Sequence, residues 1–341
     1  MSSNILVVQM SESKTYQSLI REILIDTESY IKGHSLQNRH ILFVIHLDEI
    51  GYDLNLLSWL KNLPDDAFNG SVGSMIVTSK TAYYTKSFAQ DVLLQANSKG
   101  MTFIGHSVLE IVEDYENFKT WQKTLDLPLE KIAYNQGVDL INRLKKFKRR
   151  RLSNLIALHA SSRQTSNTLG LWHLVMKNIK ELDIKEIHIE NGTVVDCIGC
   201  PFSTCIHFGK HHSCFYGGIM VEEVLPAIET GDAIVWVCPN YNDAISANMM
   251  AVINRLTVLY RQMSFHDKAF YAVIVSGNSG SDTVAKQLIG ALNINKGFQL
   301  PPNFVIMATA NDPLKVLEIE GIEDKAKVMA DNISYFCRNA K

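Results

Sequence analysis

Little in this chain of 341 residues points to a membrane, an export route or a nucleic acid. No apolar run approaches the ~20 residues of a spanning helix. The opening MSSNILVVQM has neither a basic stretch nor a long apolar core, so no signal peptide is expected. Lys and Arg (33) nearly balance Asp and Glu (35). A net charge of −2 gives no general reason to expect nucleic acid or an anionic membrane as partner. Cysteine is sparse, six in all, and four of the six fall between Cys197 and Cys214. Without export signals this argues against a disulfide framework and for reduced thiols, metal or redox chemistry, and a cytoplasmic location. No side chain is singled out by the sequence as a catalytic acid or base.

What is present is alternation. Apolar runs of strand length occur at 4–10, 40–47, 72–79 and 101–105, with helical periodicity at 14–31, 55–63, 85–97 and, in two stretches, 116–147. After the basic run KKFKRRR (145–151), read as a helix end and linker, the pattern repeats. Strands are expected at 154–159, 184–190, 233–238, 269–276 and 303–309, and helices at 167–181, 219–229, 245–263, 282–293 and 314–337. Strands alternating with helices predict an α/β fold with two doubly wound, mainly parallel sheets. Domains are expected at 1–148 and 152–341. ILFVIHL followed by LNLLSWLKNL (41–63) echoes AIVWVCP followed by ANMMAVINRL (233–256), which reads as a tandem duplication. The first copy has SESKT (11–15) where the second has a richer turn, with no arginine, and its second strand is not visible. It is read as a degenerate copy.

The richer turn is the stretch NLIALHASSRQTSNTLGLWHLVM (154–176). A short apolar strand gives way to a polar turn and then to Leu169, Leu171, Trp172, Leu174, Val175 and Met176 at helical spacing. A helix start leaves N–H groups unpaired and favours an anion. Ser161, Ser162, Thr165, Ser166 and Thr168 add hydroxyls, and Arg163 adds a fixed charge. These parts suit a phosphate monoester; the same residues also make an ordinary helix cap. Two further strands end in turns at the same expected sheet edge. One is Cys238-Pro239-Asn240-Tyr241-Asn242, and the other is Ser276-Gly277-Asn278-Ser279-Gly280.

Ala160 to Arg163 with Ser166-Asn167-Thr168 resembles the FMN-phosphate loop of the NADPH-dependent FMN reductase and iron–sulfur flavoprotein families. Those families usually have glycine at the position of Ala160. Pro239 and Tyr241 are similar to their serine-proline-x-tyrosine motif, with Cys238 in place of the serine. The resemblance implies a flavodoxin-like second domain that binds FMN. Ser161, Ser162, Arg163, Ser166, Asn167 and Thr168 would hold the phosphate. Pro239, Asn240, Tyr241, Asn242, Ser276, Gly277 and Asn278 would line the flavin ring. It also implies NAD(P)H or a protein as electron donor, a small-molecule or protein acceptor, and an internal pseudo-dimer of the two copies, with further homo-oligomerisation open. Asn254-Arg255 stands where the family has aspartate-arginine, and Arg255 is read as structural.

The cysteines at 197, 200, 205 and 214 are spaced two, four and eight residues apart in their intervening chain. Thiolates this close suit an iron–sulfur cluster or zinc, for which His207, His211 and His212 are also near in sequence, or else remain free thiols. The iron–sulfur flavoproteins carry a four-cysteine motif in this place at tighter spacing, so the resemblance implies Cys197, Cys200, Cys205 and Cys214 as ligands of a [4Fe–4S] cluster. The expected function is an FMN-dependent oxidoreductase. The alternatives are a non-enzymatic electron carrier or redox sensor, and a scaffold that has lost its flavin.

Overall fold

The computed structural model describes residues 4–12, 15–161, 163–180, 182–190 and 192–338. The chain divides into two compact units, Met1–Phe147 and Lys148–Lys341.

The first unit runs β1 (Ile5–Gln9), α1 (Gln17–Ile23), β2 (Thr27–Ser29), β3 (His40–His46), α2 (Leu54–Lys61), β4 (Val72–Ser79), α3 (Thr85–Ser98), β5 (Thr102–Val112), α4 (Lys119–Leu125) and α5 (Leu129–Lys146). Its sheet is parallel throughout, in the order β2-β1-β3-β4-β5. β4 is buried at every position. That is why its sequence shows a continuous run rather than alternation: helices cover both faces of a parallel sheet. The aromatic core includes Phe43 and Phe68, both fully buried, with ring centroids 6.1 Å apart and nearly perpendicular.

One expectation is overturned here. The second strand of this unit is present, as the three residues of β2, which pair in parallel with β1. Thr27, Glu28 and Ser29 form a half-buried to exposed edge with no apolar side chain, so periodicity has nothing to register. The helix expected over 14–31 is correspondingly short.

The second unit runs β6 (Asn154–His159), α6 (Asn167–Met176), β7 (Asp183–His188), α7 (Phe202–Gly209), α8 (Leu225–Thr230), β8 (Ala233–Tyr241), β9 (Ala244–Ile245), α9 (Ala247–Arg255), α10 (Thr257–Tyr260), β10 (Ala269–Ser276), α11 (Ser281–Leu288), β11 (Val305–Thr309) and α12 (Ile322–Arg338). The main sheet is parallel in the order β7-β6-β8-β10-β11, with β9 folding back antiparallel on the end of β8. Counted along each unit, both sheets read 2-1-3-4-5, the flavodoxin-like order, with a switch point between the first and third strands. Trp172 of α6 is fully buried in the second core, and its indole N–H donates to Glu186 Oε2 at 2.6 Å. The helix expected over 245–263 is divided into α9 and α10 at Leu256. Among the described residues no helix is long and apolar enough to cross a membrane.

Candidate functional site

The carboxyl ends of β6, β8 and β10 carry the three turns singled out from the sequence, and these turns meet. Ser161, Arg163, Ser166, Asn167, Thr168, Pro239, Asn240, Tyr241 and Gly277 all line one cavity of about 820 Å³. Asn242 and Asn278 line an adjoining cleft of about 420 Å³ that shares Asn240, Tyr241 and Gly277. Ser162 lies outside the described residues.

On the first wall, Ser166 is the N-cap of α6. Its Oγ accepts from the Leu169 N–H at 3.3 Å, which leaves its own proton free to donate. Asn167 behaves differently from the reading given to it as a phosphate ligand. Both its amide protons go to carbonyls, of Ala310 at 3.2 Å and Asp312 at 2.8 Å, and its Oδ1 accepts from the Val316 N–H at 3.0 Å. With every amide hydrogen-bonding group occupied, Asn167 pins the loop after β11 against the turn after β6. The ring of His159, at the end of β6, stacks on that of His188 at the end of β7, with centroids 4.8 Å apart and an interplanar angle of 8°. Burial first, then the neighbouring His188, holds His159 below its ordinary pKa of 6.5. Its Nδ1 lies 3.2 Å from the Ser161 carbonyl, so in this pairing Nδ1 carries the proton and donates.

On the second wall, β8 continues through Tyr241 and turns at Asn242 and Asp243, both left-handed at φ 54° and 56°. Asn240 fastens this turn to the end of β10. Its amide donates to Ser276 Oγ at 2.9 Å, to the Ser279 carbonyl at 2.9 Å and to Asp243 Oδ1 at 3.1 Å. Gly280 is required below it: its φ is +86°, and a Cβ there would run into Asp243 Oδ1. Ser276, expected on the flavin edge, is buried instead, and its Oγ is bonded to Asn240 and to Ser281 Oγ at 2.6 Å. Cys238 is fully buried, and burial pushes its thiol up to about 12, so it stays protonated and takes no part as a nucleophile. Tyr241 is left 62 % exposed over the mouth.

The sequence reading missed several walls of the cavity. Ser246, Ala247 and Asn248 at the start of α9, and Ala310, Asn311 and Pro313 after β11, complete it. Ser246 caps α9 by position, yet its buried Oγ has no partner, nor does Oδ1 of Asn240. Buried polar atoms are ordinarily paired, so a hydroxyl that can donate or accept and an amide oxygen that accepts, both in residues that line the cavity, suit a polar occupant. The signal for Ser246 was available, since a serine directly before an apolar-periodic helix marks a helix start. Asn311 carried none.

The cysteines occupy a different place. Cys197, Cys200, Cys205 and Cys214 together line a second cavity of about 120 Å³, walled also by Phe208, Tyr216, Arg255 and Val258. α7, in a stretch where no helix was expected, starts behind Pro201 and delivers Cys205. The Cys200 thiol lies 3.9 Å from the Tyr216 hydroxyl. That hydroxyl is held above its ordinary value by desolvation and then by the thiols of Cys200, Cys214 and Cys197. Among the described residues no three His, Cys, Asp or Glu side chains are grouped to hold a metal ion. No ligand set for the expected metal centre, iron–sulfur or zinc, is thus assembled among the described residues. His212 points elsewhere, to Glu229 at 2.6 Å.

The NADPH-dependent FMN reductase family model matches residues 153–312. Among curated proteins no match was found. Similar solved structures include RosB with bound 8-demethyl-8-formylriboflavin-5'-phosphate (15 % identity over 55 % of this chain and 79 % of that one, TM-score 0.43). The WrbA-like flavodoxin of Agrobacterium tumefaciens gives 13 %, 54 %, 99 % and 0.36 in the same order. An apo NADH:FMN oxidoreductase, EMOB, gives 12 %, 55 %, 90 % and 0.37. Likenesses this distant carry no function across. The sequence-family match does not depend on them, and it spans β6 to the loop after β11, the part of the chain that builds the large cavity. Over residues 153–312, then, this chain is similar to the NADPH-dependent FMN reductases, as its phosphate-type loop and its Pro239–Tyr241 turn first suggested.

Proposed function

We propose that the second unit binds FMN and works as a flavin-dependent oxidoreductase, with NAD(P)H or a reduced protein as electron donor. The observation that carries this is the convergence of three turns, far apart in sequence, on one cavity of about 820 Å³. That is near the upper end of ordinary ligand pockets and lies where open α/β sheets bind ligands. Ser161, Arg163, Ser166 and Thr168 would hold the phosphate, with the first turn of α6 behind them supplying N–H groups. Pro239, Asn240, Tyr241 and Gly277 would line the ring, and Ser246 Oγ would gain the partner it lacks. When bound, FMN supplies the hydride or electron chemistry; the chain's part is to bind it, orient it and exclude water. Cysteines free of disulfides among the described residues would suit a reducing compartment, the cytoplasm.

A second element of this reading concerns the cysteines. Cys197, Cys200, Cys205 and Cys214 would hold a [4Fe–4S] cluster, which supplies one-electron transfer when bound. What supports it is that all four residues line one small cavity.

Anaerobic purification of the whole chain tests both parts. Flavin absorbance that bleaches with NADH or NADPH is the expected result. Flavin that is bound but bleached only by dithionite would favour a carrier or sensor. No FMN binding by the apo-protein would end the flavin reading. Iron and sulfide below about one atom per chain, with flavin full, would leave the cysteines as thiols.

A further inference from the structure

Arginine is among the residues least often buried, because its charge must leave water with it. Arg255, the last residue of α9, is only 2 % exposed. Its Nη1 donates to the Val195 carbonyl at 3.3 Å and its Nη2 to the Gly217 carbonyl at 3.0 Å, while its Nε is buried without a partner. Among the described residues no carboxylate pairs with it. Asp196, the nearest acid in sequence to this contact, is engaged by the Asn254 amide at 2.9 Å and by the Cys197 N–H at 2.6 Å. Carbonyl dipoles offset a buried guanidinium only in part, so a positive charge is left facing whatever lies beside it. What lies beside it is the cavity of the four cysteines, whose wall it forms.

The two carbonyls have a particular position. Val195 lies just before Cys197 and Gly217 just after Cys214, so one planar fork ties the entry of the cysteine segment to its exit. Arg261, the other arginine of this wall, is exposed and lies over the Phe202 ring at 4.8 Å.

We propose that Arg255 is the positioning residue of the thiol cavity. Its fork closes the cysteine segment, and its uncompensated charge favours an anionic, thiolate-ligated centre there. The charge half rests on the iron–sulfur reading above; the closure half does not. One-electron reduction adds negative charge to such a centre, so a fixed cation beside it makes reduction easier. Arg255→Gln removes the charge, while Arg255→Lys keeps it and loses the fork.

The test uses the whole chain in three forms: wild type, Arg255→Gln and Arg255→Lys. Hydrogen exchange of the metal-free proteins reads closure. Exchange at 195–200 and 213–218 should rise severalfold in both variants, with β6 and β8 unchanged. Anaerobic reconstitution with iron and sulfide, followed by a dithionite titration, reads charge. The midpoint potential should move to more negative values in Arg255→Gln and return towards wild type in Arg255→Lys. Unchanged exchange in both variants overturns the closure. A reconstituted Arg255→Gln with the wild-type potential overturns the charge role. Wild type that takes up no iron overturns the iron–sulfur reading and the charge role with it, and exchange still decides closure. Should Arg255→Gln not fold, as judged by circular dichroism, Arg255→Lys carries the exchange comparison and its own potential is compared with wild type.

Discussion

The two units share a strand order and differ at the carboxyl edge of the sheet. In the second, the hydroxyls after β6 border open space, and α6 begins with a side-chain cap from Ser166. In the first, α1 begins at Tyr16 with no side-chain cap, and the polar groups at the strand ends bind one another. Ser11 Oγ donates to Asp53 Oδ1 at 2.9 Å, Asp53 caps α2 through the Leu56 N–H, and His46 Nδ1 meets Thr78 Oγ1 at 2.9 Å. Asp53 Oδ2 is left buried without a partner, but the bonds named tie this edge's own strands and helices together, whereas a polar edge left open is available to a ligand. The comparison teaches that one strand order can end in an open polar edge or in one bonded within itself.

The largest expected effect separates the units outright. Trp172→Ala and Phe43→Ala each empty a fully buried site. Each should cost about 3–5 kcal/mol in its own unit. Calorimetry with flavin fluorescence should show FMN lost in the Trp172 variant and kept in the Phe43 variant. Loss of FMN from both would show that the first unit contributes to the site. Next comes Arg163→Ala, which should weaken FMN by about 1.5–3 kcal/mol through loss of a charge-assisted contact, or roughly 10- to 100-fold in Kd. A Kd unchanged in fluorescence titration would move the phosphate elsewhere. Gly280→Ala should cost about 1–3 kcal/mol, from a left-handed backbone and a clash with Asp243. Gly192→Ala, at φ +82° with open space around it, should cost less and leave flavin affinity alone.

The smallest effect is in pH. Burial holds His159 in the second unit, and His40 and His46 in the first, below the ordinary 6.5. Each folded site prefers the neutral ring, so the unfolded chain takes up protons first as pH falls below 6.5. Stability is therefore full above that value, falls below it, and levels off under the folded pKa. His159→Gln should flatten this slope for the second unit alone, as read by denaturant midpoints between pH 5 and 7.5. An unaltered slope would remove His159 from the account.

What could be read from the residues follows from where the signal is local. Continuous apolar runs such as those of β4 and β10 give buried parallel strands directly, and the turn after β6 shows its hydroxyls and its arginine within eight residues. β2 escaped because Thr-Glu-Ser has no apolar face. Ser276 and Asn167 were placed correctly at the edge, but their hydrogen bonds run to partners that sequence cannot pair with them: Asn240 and Ser281 for one, Ala310, Asp312 and Val316 for the other. Arg255 was read as structural; its burial against the Val195 and Gly217 carbonyls depends on a fold-back of the whole cysteine segment.

The contacts of Asn167 also set a timetable. Its partners are 143 to 149 residues further along the chain. Contacts of such separation form late, because a long loop must close before they offer anything in return. During synthesis β6 and α6 leave the ribosome well before residues 310–316, so the turn between them waits, unpinned, for that segment. If the second unit takes up FMN, loading is accordingly expected to follow the emergence of residues 310–316, and a nascent chain stalled before residue 310 is expected to capture no flavin.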